Sequence, residues 1–186
     1  MNSTTRKITG IAAFIALGLI LPMLVHGVNL GVQIAPIHIP VLICGLVLGG
    51  APGLVCGALL PLISSLLTSM PPLYPVATTM MFECALYGGI AGFLFNRVKM
   101  TKCTVCNMLV SLVVAMLVGR IGYAILNALL TAPSALFTKA PVAFYTSLIV
   151  KGGWMTMILH LIVVPIIALA LLNAIANMQK ANSREQ

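Results

Sequence analysis

The chain has 186 residues, 61% of them hydrophobic and 6% charged, with a formal net charge of +8 and a mean hydropathy of +1.15. So much apolar surface exceeds the core of a soluble domain of this length and specifies an all-α, polytopic membrane protein. Its apolar runs are continuous rather than alternating, which excludes a transmembrane barrel, and its cations are spread along the chain at the edges of those runs, where they report membrane topology rather than nucleic-acid binding.

Six spans are expected within a single transmembrane domain covering residues 1–186. The first covers about residues 8–26. Arg6-Lys7 ahead of it resemble a signal peptide, but Pro22, Val25 and His26 stand where a small-x-small cleavage site would lie, so a retained helix is expected. Ala12 and Ala16 give it a small-xxx-small face suited either to packing inside the bundle or to receiving a partner's helix.

The second span, about 38–50, is too short for a perpendicular crossing, which takes about 20 residues. Gly49-Gly50-Ala51-Pro52-Gly53 separates it from the third span, about 53–69. Gly45, Gly49, Gly53 and Gly57 recur every four residues, as do Gly88 and Gly92, a spacing that lets helices approach closely. Pro71-Pro72 and Pro75 precede the fourth span, about 76–96. The polar stretch 96–102 precedes the fifth, about 105–131, and a segment with two prolines precedes the sixth, about 145–178.

Cys44, Cys56 and Cys84 fall inside apolar runs and read as packing residues. Cys103-Thr-Val-Cys106 is a CxxC with no further metal ligands nearby, and reads as reduced thiols.

With the N-terminus inside, Arg6, Lys7, Arg97, Lys99, Lys102, Lys180 and Arg184 are all cytoplasmic, against Lys139 alone in an outer loop. The positive-inside rule therefore puts both termini in the cytoplasm.

Glu83 is the sole acid before Glu185, and it lies within an apolar span. A carboxylate at mid-helix costs about 2.5–3.5 kcal/mol to insert, so one that persists has a partner or a task. Arg120 and Lys151 lie in two other spans. A rise of about 1.5 Å per residue puts Glu83 about 10 Å, Arg120 about 16 Å and Lys151 about 9 Å from the outer surface. Charges at these depths face the bundle interior or a wet cavity, which implies a polar pocket opening outward. Helical spacing adds Tyr87 to the face of Glu83, Tyr123 and Asn127 to that of Arg120, and Trp154 and Met155 to that of Lys151. His38, at the start of the short second span, is placed either to reach the same pocket or, as a lone histidine, to serve a structural role. Two plainer readings stay open: Glu83 and Arg120 as an internal staple, and Lys151 snorkelling to the outer surface.

Enzymatic chemistry has little to work with. The chain has no P-loop and no HExxH or GxSxG signature, and it contains no Asp for metal-dependent phosphotransfer.

Several segments together carry a resemblance: Pro36-Ile-His38-Ile-Pro40 running on to Gly45, Gly49, Gly53 and Gly57; Pro61-Leu-Ile-Ser64 through Met70-Pro71-Pro72-Leu-Tyr-Pro75; Phe82-Glu83-Cys-Ala-Leu-Tyr87-Gly88; Gly119-Arg120; and Lys151-Gly-Gly153-Trp154 through His160 to Pro165. Over nearly its whole length the chain resembles the substrate-binding S components of energy-coupling factor (ECF) vitamin transporters, pantothenate-type members in particular. The resemblance implies six helices in the bacterial plasma membrane and a water-soluble vitamin bound near the outer face. It also implies assembly with a transmembrane coupling (T) protein and two ATP-binding subunits that hydrolyse ATP, so that this chain needs no cofactor of its own. Ala12 and Ala16 would then face the coupling protein.

Within that expectation Lys151 is left for a ligand carboxylate if Glu83 pairs with Arg120. Glu83, Tyr87 and Asn127 would serve hydroxyls and amides, with Tyr123, His38 and Trp154 completing the wall. Pantothenate, with a carboxylate, an amide and two hydroxyls, suits such a site. Alternatives are another vitamin (pyridoxine-type, folate or cobalamin), a stand-alone secondary transporter relaying protons through Glu83, or a membrane protein whose ion pair is purely structural.

Overall fold

The computed structural model describes residues 3–26, 36–98, 103–131, 139, 141–142 and 153–182. Six helices account for most of them: α1 (Ser3–His26), α2 (His38–Leu48), α3 (Gly50–Thr68), α4 (Thr78–Arg97), α5 (Thr104–Thr131) and α6 (Gly153–Asn182). A wide helical turn, Leu73–Ala77, leads into α4. Five apolar stretches are long enough to cross a bilayer, namely Thr4–Leu24, Gly50–Thr68, Leu73–Arg97, Thr104–Thr131 and Gly153–Met178; α2 is a shorter apolar helix.

The short helix is the axis of the molecule. All residues from His38 to Leu46 are buried, and α2 packs against α1, α3, α4 and α6. A helix enclosed on all sides needs no polar stripe, which is why this segment is apolar all round. At about 1.5 Å per residue its 11 residues span only about 16 Å. Asn96 near the cytoplasmic end of α4 donates its side-chain amide to the carbonyl of Leu46, so the last turns of α2 lie at the inner side. His38, its first residue, therefore begins well inside the bundle.

One residue joins α2 to α3. Gly49 has φ +104°, a conformation that side chains rarely adopt, and its N–H still donates to Gly45 O. The break thus falls at Gly49, not across the whole Gly-Pro stretch, and Pro52 sits in the first turn of α3, where a missing N–H costs nothing.

Beyond this turn α2, α3 and α4 meet along glycines. A Cβ at Gly53 would lie 2.6 Å from the Gly45 Cα, one at Gly88 would lie 2.6 Å from the Gly53 carbonyl carbon, and one at Gly92 would lie 2.7 Å from the Gly49 carbonyl carbon. The four-residue glycine spacing is a seam of backbone-to-backbone contact among three helices.

Hydrogen bonds close both ends of the bundle. On the outer side Tyr74 Oη donates to Leu130 O at 2.9 Å, tying the turn before α4 to the end of α5. Ser64 and Ser65 donate to the carbonyls of Met70 and Pro71. On the inner side Asn107 of α5 donates to Phe95 O of α4.

Candidate functional site

The seam sets α4 so that Glu83 and Tyr87, one turn apart, face the interior. Across from them α5 presents Arg120. Its Nη1 lies 3.1 Å from Glu83 Oε1, and Glu83 is 2% and Arg120 11% exposed. Tyr87 Oη donates to the same Oε1 at 2.7 Å. The carboxylate is therefore held by one cationic and one neutral donor, as a buried charge must be if it is to stay ionised.

Gly119 makes the arrangement possible. A Cβ there would collide with the Cδ1 and Cε1 atoms of Tyr87, so the phenol ring lies directly on the α5 backbone. The same ring meets His38 edge to face, with the centroids 5.2 Å apart and an interplanar angle of 79°. His38 in turn meets His160 of α6 edge to face at 5.7 Å. Side chains from α2, α4, α5 and α6 thus form one continuous polar cluster inside an apolar bundle.

Three atoms of this cluster stand out. Neither ring nitrogen of His38 hydrogen-bonds to the described residues, nor does Arg120 Nε, and all three are buried. An unsatisfied buried donor or acceptor costs about 1–3 kcal/mol.

Four of the expected site residues are thereby brought together: Glu83, Tyr87, Arg120 and His38. Tyr123, a turn beyond Arg120, is half-buried and within electrostatic reach of both Glu83 and Arg120. Asn127 lies a further turn outward, also half-buried. Trp154 is 53% exposed and stands apart from the cluster. Lys151 falls outside the described residues. Ala12 and Ala16 lie on the exposed side of α1, opposite the buried Phe14 and Gly18.

The prolines between the third and fourth spans do break the chain: α3 ends at Thr68 and α4 starts at Thr78, after a wide turn in which Tyr74 is non-helical.

Sequence reasoning passed over His160. Gly153, Thr156, His160, Val164 and Ala168 form the buried stripe of α6, and a Thr and a His one turn apart on an otherwise apolar face are the signal that would have found it.

The Cys103–Cys106 pair is exposed at the cytoplasmic start of α5, while Cys44, Cys56 and Cys84 are buried. The backbone N–H of Cys106, the Cys106 thiol and the backbone N–H of Val105 hold the Cys103 thiol below its ordinary pKa. Among the described residues no group of three or more His, Cys, Asp or Glu is placed to hold a metal ion.

The model of one protein family, the ECF transporter substrate-specific component, matches residues 6–177. No curated protein and no solved structure matches the chain. Family and apolar helices together make this a multi-pass protein of the bacterial plasma membrane. The matched span takes in the buried polar cluster and all but the chain-terminal ends of the first and last helices, and the chain belongs to the family of ECF transporter substrate-specific components.

Proposed function

We propose that the chain captures a water-soluble vitamin from the outer side of the membrane, pantothenate first among the candidates, at the cluster centred on Glu83 and Arg120. The observation that carries this reading is the meeting of Glu83, Tyr87, Arg120 and His38 at the level where the central helix α2 begins. Burying ionisable groups costs stability, and a substrate-specific component has a use for them.

In this reading the Glu83–Arg120 pair is neutral as a unit, so the site accepts a carboxylate without opposing a net negative charge. Tyr87, Tyr123 and Asn127 supply hydrogen bonds to hydroxyls and the amide, and Lys151 adds a second cation toward the outer surface. The chain binds no cofactor of its own. As a substrate-specific component it works with coupling and ATPase modules; we take these to be one transmembrane T protein and two ATP-binding subunits, which hydrolyse the ATP. The exposed Ala12–Ala16 face of α1 is the surface offered to the T protein, since small residues let two helices approach closely in lipid.

The test is titration of the purified protein with pantothenate, alongside mass spectrometry of small molecules that co-purify with it. Saturable one-site binding supports the reading. A different co-purifying vitamin redirects it, and uptake into vesicles driven by a pH gradient without ATP-binding subunits replaces it with a stand-alone carrier relaying protons through Glu83.

A further inference from the structure

The contacts divide Arg120 into two edges. Glu83 Oε1 takes Nη1. The Nε–H points to the opposite edge, which it shares with Nη2, and Nε is buried with no hydrogen-bond partner among the described residues. A guanidinium edge of this kind offers two parallel N–H groups, the geometry that fits a carboxylate bidentately. His38 is 3% exposed and has two ring nitrogens in the same condition. It stands one ring away, edge to face with Tyr87, which itself binds Glu83.

We propose that the Nε edge of Arg120 seats the carboxylate of the ligand and that His38 takes a second polar group, a hydroxyl or amide, on the same molecule. The inference rests on the capture reading above and deepens it. It moves the principal anion contact from Lys151 to Arg120, and it specifies the ligand class as a small carboxylic acid bearing a neutral hydrogen-bonding group. Glu83 has a defined part: by occupying Nη1 it fixes the guanidinium plane and so aims the other edge. Tyr87 and His160, meeting His38 edge to face, hold the imidazole ring in place.

The experiment titrates the full-length protein with two probes, pantothenate and panthenol, in which an alcohol replaces the carboxylate. The wild type should prefer pantothenate. Arg120→Lys keeps a cation for Glu83 and removes the fork, so it should lose about tenfold or more in affinity for pantothenate, as expected for a bidentate charge-assisted pair, and little for panthenol. His38→Phe keeps the ring and its edge contacts and deletes both nitrogens. It should fold, melt no lower than the wild type, and bind pantothenate about tenfold more weakly. Wild-type binding of pantothenate that neither variant changes overturns this inference and leaves the capture reading standing. So does an equal loss for both probes in Arg120→Lys, which makes the arginine merely structural. No binding of pantothenate by the wild type overturns the vitamin assignment and this inference with it.

Discussion

Arg120 reaches from α5 to place Nη1 3.1 Å from Glu83 Oε1 on α4, and the two together hold the buried charge of the described bundle in balance. Removing the charge of either residue alone is costly. Glu83→Gln leaves a buried guanidinium without its counter-charge, and the expected loss is about 3–5 kcal/mol. The double variant Glu83→Gln/Arg120→Gln removes both charges and should recover a large part of that loss. Thermal unfolding in detergent, read by size-exclusion chromatography, checks both. A double variant no more stable than the single one contradicts the pairing.

The glycine seam gives a sharper contrast. Gly88 and Gly89 are neighbours on α4, and replacing either by Ala favours the isolated helix by about 1 kcal/mol. At Gly88 the new methyl would meet the backbone of Gly53, whereas at Gly89 its nearest neighbour is the Leu54 Cβ at 3.4 Å. Gly88→Ala should therefore fail to yield folded protein, and Gly89→Ala should purify and melt like the wild type. Equal behaviour of the two would show that α3 and α4 do not touch where the structure brings them together.

Six apolar helices and the short second one were legible in the residues, because hydropathy leaves few alternatives, and the cost of a buried charge made a Glu83–Arg120 ion pair one of the readings they offered. The environment of His38 was hidden. Periodicity says which residues share a helical face but not which helices are neighbours, and the contacts with Tyr87 and His160 arise only because α2 sits at the centre of the bundle. Trp154 illustrates the same limit: its spacing from Lys151 is helical, yet the buried stripe of α6 runs through Gly153, Thr156 and His160 and leaves Trp154 outward.

On the cytoplasmic side, Cys103 should be the most reactive thiol of the chain. The thiolate is the nucleophile, and the N–H groups at the start of α5 lower the Cys103 pKa. Its alkylation by iodoacetamide should therefore persist to lower pH than that of an ordinary exposed thiol. Cys44, Cys56 and Cys84 should stay unmodified until the protein unfolds. Peptide mass spectrometry across a pH series reads this out; early labelling of Cys84 would contradict the buried placement of α4.

Alteration of the outer face of α1 should separate capture from coupling. Ala12→Leu/Ala16→Leu adds bulk on the exposed side of the helix, so ligand affinity should be unchanged while association with the T protein and its ATPase subunits falls. Co-purification from membranes measures the association and titration the affinity. Weakened ligand binding with intact assembly would place the coupling surface elsewhere.

Native mass spectrometry of the protein released directly from its membrane tests the central claim most simply. The wild type should carry one small organic acid per chain, and Arg120→Ala, recovered in folded form, should carry none. Equal occupancy in the two proteins would mean that the buried ion pair braces the helices and that the captured molecule lies somewhere else.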